Sequence, residues 1–260
     1  MPSASRLPND VRSVVSSVIA NASRVVRDEL NRVKVMIKED GSPVTSVDLA
    51  VELSIRSQLE KAFPDHGICG EECDPHNPDA QWVWLIDPID GTRQFAAGLP
   101  NYGILLTLCE DITPRLGVIC QPILGDIYLG ISGEGAWLNE VPIRTAITEN
   151  IGDAIVCYSD PDAFDESTRP GFESLRPLSR WNVYDGGCLS FASLAAGQIG
   201  VSVCGPNLDN YDFCALVPVV EGAGGMITNW NGRPLDRESK GPIIASCSST
   251  LHARVLEILQ

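Results

Sequence analysis

Trp82-Val83-Trp84-Leu85-Ile86-Asp87-Pro88-Ile89-Asp90-Gly91-Thr92 is the stretch on which the fold turns. Its first five residues are an unbroken apolar run, the pattern of a strand buried on both faces. The run ends in two carboxylates three residues apart, on a turn fixed by proline, so Asp87 and Asp90 can converge on one point. Oxygen-only ligands suit magnesium, which keeps several waters and often binds phosphate. Gly91 and Thr92 then open Arg93-Gln94-Phe95-Ala96. If that segment is helical, the first backbone N–H groups point at an anion. The plain alternative is an Asp-Pro turn with a helix cap.

Outward from this strand the pattern alternates. Upstream, Val11, Val14, Val15, Val18, Ile19, Ala22, Val25, Val26, Leu30 and Val33 recur at helical spacing and predict an amphipathic helix over 9–33, started by Pro8 and Asn9. A short strand over 34–37, a turn over 38–43 and a second helix over 46–62 follow, with Leu49, Leu53, Ile55 and Leu59 as its apolar side. Downstream, runs at 102–108, 116–120, 126–131 and 135–138 predict antiparallel hairpins. The stretch 140–152 links two halves, 1–145 and 146–260. The second half reads as a strand at 154–159, an unassigned Pro-containing stretch at 160–177, a buried helix at 189–196 and a strand at 199–203. A helix over 211–221 holds Pro218, either as a kink or in a late first turn. Strands at 226–228 and 243–246 and a helix at 251–259 complete the chain. Alternating helices and strands imply a layered α/β or α+β class.

The 260 residues include 34 acidic and 19 basic ones, a net charge of −15, and 44% are apolar. That is a folded chain with a sizeable core, not a disordered one. Its charge repels nucleic-acid phosphates and anionic membrane surfaces, which excludes both as general partners. No apolar run approaches the roughly 20 residues of a membrane span. The N-terminal residues lack the basic start and apolar core of a signal peptide, so a cytoplasmic location is expected. Nine cysteines, an odd count in a long chain, point to reduced and mostly buried thiols. His66, Cys69, Cys73 and His76 invite a zinc reading, but their spacing fits no zinc pattern.

Three more acids bear on the Asp87–Asp90 pair. Gly70-Glu71-Glu72 precedes the strand and offers another carboxylate, or simply a solvated acidic pair. Asp212 starts an otherwise apolar helix, where an acid is also an ordinary helix-start residue. Asp48 follows Thr45 by three residues, a capping pattern that also sets it near a hydroxyl or water at a metal.

Taken together these motifs resemble the inositol monophosphatase family of metal-dependent sugar and polyol phosphatases. The resemblance runs from Lys38 to Pro234 and rests on Gly70-Glu71-Glu72, on Trp84 through Thr92, and on Tyr211-Asp212 leading into Glu221-Gly222-Ala223-Gly224-Gly225. It implies a layered αβαβα sandwich, with an antiparallel sheet in the N-terminal half and a mixed sheet in the C-terminal half. It implies a phosphomonoesterase for a small phosphate ester, using two to three Mg²⁺ ions. Glu71, Asp87 and the carbonyl of Ile89 would hold one ion, Asp87, Asp90 and Asp212 a second, and a third would sit near Glu71. Asp48, Thr92 and Glu71 are the implied catalytic residues, with Thr92 hydrogen-bonded to Asp48 to take the proton of the attacking water. Gly91, Thr92, Arg93, Gly186, Gly187, Cys188 and Asp209 form the implied substrate wall. Members are commonly homodimers.

Within the family the sequence looks closest to the histidinol-phosphatase-like branch, through Gly41 to Thr45, His66 to Ile68, Gly98 to Pro100, Gly117 to Pro122 and Tyr211 to Gly225. Two positions depart from it. Gly187 precedes Cys188 where that branch tends to carry an acid, and Val203-Cys204-Gly205-Pro206 lacks the branch's glutamate, with Asp209 as a partial substitute. Histidinol phosphate carries an ammonium group that a pocket without acids holds poorly. Histidinol phosphate and inositol 1-phosphate are the first candidate substrates. A nucleotide 3′-phosphatase and a non-catalytic regulatory member are the alternatives.

Overall fold

Every residue from Val83 to Ile89 is buried, and the strand runs unbroken from Trp82 to Asp90. The structure, a computed structural model, describes residues 6–30, 33–38 and 41–260. The first elements are α1 (Val11–Glu29), β1 (Val35–Ile37), β2 (Pro43–Thr45), α2 (Ser46–Ala62), β3 (Gly67–Gly70), β4 (Trp82–Asp90) and α3 (Thr92–Ala96). Then come β5 (Gly103–Glu110), β6 (Thr113–Gln121), β7 (Asp126–Ile131), β8 (Gly135–Leu138) and β9 (Val141–Pro142). The remainder is β10 (Ile155–Tyr158), α4 (Arg169–Leu175), β11 (Trp181–Tyr184), α5 (Gly187–Ala195), β12 (Val201–Cys204), α6 (Asn210–Phe213), α7 (Leu216–Gly222), β13 (Met226–Asn229), β14 (Ile243–Ser246) and α8 (Ser249–Leu259).

Two large sheets organise these elements, beside a small antiparallel pair of β1 and β2. The larger has seven strands in the order β3-β4-β5-β6-β7-β8-β9. It is antiparallel except for the parallel pair β3/β4 at its edge. The smaller has the order β11-β10-β12-β14-β13 and is mixed, parallel across β11-β10-β12 and antiparallel beyond. Alternation along the strands sorts the core into three layers of contact. Trp84, Ile86, Leu106 and Val118 pack under α1 and α2. Val83, Leu85, Leu105 and Ile119 face α5 and α7, whose other side meets Ile227, Ile243 and Ala245. Val156, Val203 and Ile244 pack under α4 and α8. The chain is therefore a layered αβαβα sandwich. Among the described residues, no helix is long and apolar enough to cross a membrane.

Several expectations are corrected. Helix α1 ends at Glu29 rather than 33, and Asn31 and Arg32 lie outside the described residues, as do Glu39 and Asp40 of the expected turn. Helix α2 has the expected span but half of the expected face: Ile55 and Leu59 are buried as expected, while Leu49 and Leu53 are 41% and 52% exposed and Asp48, Glu52 and Arg56 are buried with Val47 and Val51. The helix predicted over 211–221 is two helices, α6 and α7. Pro218 is the third residue of α7, where its missing N–H breaks no intrahelical bond. Strand β11 was not assigned from the sequence, although Trp181, Val183 and Tyr184 are strand formers; it is a largely exposed sheet edge of only four residues. All nine cysteines are free thiols, and Cys69 and Cys73 are the two not fully buried. His66 stacks on Phe63 and accepts a hydrogen bond from Trp84 Nε1 at 3.1 Å.

Candidate metal and phosphate site

The pleat of β4 aims its acids. Val83 and Leu85 face the middle layer, and Asp87 continues that side. Asp90 is an odd number of residues further on and in a regular strand would face the other way. The pairing with β5 slips between them, from Asp87↔Leu105 to Asp90↔Gly103, so three steps on β4 match two on β5. This bulge returns Asp90 to the side of Asp87. Asp212 comes from α6 on that same side, where it accepts a hydrogen bond from Asp209 N at 2.7 Å in a reciprocal capping box. Ligand atoms of Asp87, Asp90 and Asp212 lie within 4.8 Å of one another.

Asp87, Asp90, Asp212 and Asp48 each accept from a backbone N–H, and Glu71 from a lysine. Ile89 N donates to Asp87 Oδ1 at 3.0 Å, and Cys188 N, in the first turn of α5, donates to Asp90 Oδ2 at 2.7 Å. Asp48 is fully buried in the first turn of α2, bound by the backbone N–H and hydroxyl of Thr45. Thr92 Oγ1 stands 3.0 Å from the Ile89 carbonyl and 3.3 Å from Asp48 Oδ1, so its single proton has two acceptors. Glu71 donates its N–H to Ile86 O at 3.1 Å, and its carboxylate meets Lys38 Nζ at 2.9 Å.

Burial raises the pKa of Asp87 well above the ordinary carboxylate range, and Glu71, Asp90 and Asp212 add repulsion. Asp212 is pushed well up by burial too, against the Asp209 hydrogen bond, and Asp90 is raised by burial against the Cys188 bonds. Glu71 is raised by burial, with Lys38 opposing it, and Asp48 by burial despite its Thr45 bonds. Lys38 partly offsets the charge of Glu71, and Asp87, Asp90 and Asp212 are left as a cluster of crowded oxygen donors. It fits a hard divalent cation.

The cluster opens into a cavity of about 510 Å³ lined by Glu71, Asp90, Gly91, Thr92, Arg93 and Gly187 of the predicted residues. Gly91 has φ 93 and stands directly before α3, a single short helical turn. Gly187 has φ 47, and a Cβ there would come within 2.8 Å of Asp90 Oδ2, which explains glycine where an acid was expected. Gly186 packs tightly on Cys157 and Ser190 behind it. Cys188 contributes differently from expectation: its side chain sits in the middle-layer core and its backbone N–H holds Asp90. Asp209 caps α6 and pairs with Lys240 Nζ at 3.0 Å rather than lining the cavity. Arg93 is largely exposed at the rim, 3.5 Å from Asp160.

Sequence reasoning missed the facing wall, which carries Asp160, Asp162 and Asp185. Asp185 has φ 60, accepts from Gln94 Nε2 at 2.5 Å, and offers its carbonyl to Asn101 Nδ2 at 2.8 Å. These loop residues follow no periodicity, so no pattern singles them out. Glu52 and Arg56 were also missed, although their i, i+4 spacing was a usable signal.

The solved structure of an inositol monophosphatase from Zymomonas mobilis matches this fold with a TM-score of 0.88 at 32% identity, covering 98% of this chain and 99% of that one. The bifunctional phosphatase IMPL2, chloroplastic, of Arabidopsis thaliana is 34% identical over 261 residues, 95% of this chain and 75% of that protein. A histidinol-phosphatase of Chlorobaculum parvum is 33% identical over 228 residues, 86% of this chain and 88% of that protein. Fold, carboxylate cluster and phosphatase relatives define a class, the phosphoric monoester hydrolases. The model of the inositol monophosphatase family matches residues 8–260, and the chain belongs to that family.

Proposed function

We propose that this phosphatase hydrolyses the phosphate monoester of a small hydroxylated metabolite with two to three Mg²⁺ ions. The observation that carries the reading is the convergence of Asp87, Asp90 and Asp212 within 4.8 Å of one another, with Asp90 and Glu71 reaching the wall of a cavity of metabolite size. Asp87, Asp90, Asp212, Glu71 and the Ile89 carbonyl would hold the ions. When bound, they supply Lewis acidity toward the phosphate and ease deprotonation of water. Thr92 takes the proton of the attacking water and hands it to Asp48, whose Oδ1 stands 3.3 Å from Thr92 Oγ1. The Gly91 and Thr92 N–H groups orient the phosphate oxygens. Water attacks in line, without a phospho-enzyme. The halves 1–145 and 146–260 meet at this site, and a homodimer is the assembly the family resemblance favours.

Between the two first candidates, Asp160, Asp162 and Asp185 favour histidinol phosphate over inositol 1-phosphate. An ammonium group is better received by a carboxylate wall than a neutral polyol is. The acids that Gly187 and the Cys204 region lack are in this reading supplied from other loops. Phosphate release from histidinol phosphate, inositol 1-phosphate and a nucleoside 3′-phosphate, with and without Mg²⁺, tests it. Preference for the nucleotide overturns the substrate reading. No release from any of them overturns the catalytic one in favour of a regulatory role.

A further inference from the structure

Helix α2 carries Asp48, Glu52 and Arg56 at four-residue spacing, so one buried stripe runs from the Thr92 partner to a pair that the reaction does not touch. Glu52 is fully buried and Arg56 is 7% exposed, with Arg56 Nε donating to Glu52 Oε1 at 2.7 Å. A buried ion pair contributes little net stability, because desolvation offsets most of its attraction. Its other bonds all go to one place. Glu72 N donates to Glu52 Oε2 at 2.8 Å, Cys73 N to Glu52 Oε1 at 3.2 Å, and Arg56 Nη2 to the Cys73 carbonyl at 3.0 Å. On the other side, Glu71 N is tied to Ile86 O of β4. Glu71 is thus gripped immediately before and after its own Cα. Gly70 completes the fit, since a Cβ there would collide with the Glu52 carboxylate.

We propose that Glu52, oriented by Arg56, is a positioning residue that aims the Glu71 carboxylate for metal binding. The inference rests on the metal reading given above. Glu52 has acceptors alone to offer, and all its partners are donors. A glutamine turns an NH₂ group toward one of these donors and pushes the Glu71 loop away. An aspartate keeps the charge but is one methylene short. Losing the partner that orients a ligand typically weakens metal affinity about 10–100-fold.

The test uses the full chain with Mn²⁺ and Mg²⁺ titrated by calorimetry, well below each variant's thermal midpoint, together with amide exchange at Glu72 and Cys73. Glu52→Gln is expected to weaken ion binding at least about tenfold and to expose both amides to exchange. Glu52→Asp should recover part of both effects. Should Glu52→Gln fail to fold, Glu52→Asp and Arg56→Lys carry the comparison, each expected to weaken binding by a smaller factor. Wild-type affinity in every folded variant overturns the positioning role while leaving the metal reading intact. No ion binding by the wild type overturns the metal reading itself.

Discussion

Replacing Asp90 by asparagine should move stability and function in opposite directions. Asp90 shares a 4.8 Å sphere with Asp87 and Asp212. At that distance two unit charges repel by about 3.5 kcal/mol for an effective dielectric of about 20. The cluster relieves part of this by retaining protons, as the raised pKa values of Asp87 and Asp212 indicate. Asparagine removes one charge, yet its carbonyl can still accept from Cys188 N, now at 2.7 Å from Asp90. Its NH₂ group can donate to the remaining carboxylates. The metal-free variant should gain on the order of 1–2 kcal/mol, a rise in Tm of roughly 2–8 °C for a chain of this size. Mg²⁺ at a hundred times its Kd stabilises the wild type by about 2.7 kcal/mol; a hundredfold weaker variant keeps about 0.4 kcal/mol at the same concentration. Thermal melts in chelator and over a Mg²⁺ series read both effects, and Mg²⁺-dependent phosphate release should fall to background. A variant that melts lower without metal, or keeps the full Mg²⁺ response, would refute the reasoning.

Four further outcomes follow from the same geometry. Asp87, Asp212, Glu71 and Asp48 all have raised pKa values, so the metal-free native state holds more protons than the unfolded chain and loses stability as pH rises above about 4. The Mg²⁺-induced rise in Tm should accordingly be larger at pH 7.5 than at pH 5, and equal rises would show the acids already ionised. His252, buried between Thr228 and Ser246, has its pKa pushed down from 6.5 to about 4 by burial. Its contribution is present above pH 6.5 and lost as pH falls toward 4, up to about 3 kcal/mol; urea titrations should show a shallower acid loss for His252→Gln. Gly187→Ala should cost about 1–2 kcal/mol from its left-handed backbone and disturb Asp90, while Gly187→Asp should bind Mg²⁺ more weakly still, as titration calorimetry would record. Leu49→Gln and Leu53→Gln should stay within about 0.5 kcal/mol of wild type in urea melts, because both side chains are exposed.

The parts of this fold legible in the sequence are those governed by a strong local rule. The run from Trp82 to Ile86 had to be buried on both faces, and β7, β8 and β14 lie where alternation and turn residues put them. Two halves with unlike sheets, and an αβαβα order, came with the resemblance. Periodicity failed on half the face of α2 because it assumes that a helix buries its apolar side alone, whereas this one also buries Asp48, Glu52 and Arg56 around the site. It failed on β11 because four residues are too few to show a period. The acids of β4 and α6 were legible as turn and cap chemistry, and Pro88 pointed to the convergence of Asp87 and Asp90, but as a turn after the strand rather than as the bulge within it that the pairing shows. Asp160 and Asp185 reach the cavity through irregular loops, where tertiary contacts alone decide direction.

The cluster takes two acids from β4 and one from α6, elements far apart along the chain. Contacts of such long range tend to complete late on the way to the native state. A cation that requires all three acids then has little to grip at the folding barrier and everything to grip beyond it. Its effect should fall on the escape rate, not the arrival rate. In stopped-flow urea jumps, Mg²⁺ should slow unfolding while leaving refolding nearly unchanged; an equal acceleration of refolding would place the acids together before the barrier. By this argument the bulge in β4, which turns Asp90 to the side of Asp87, also sets how long a folded molecule lasts.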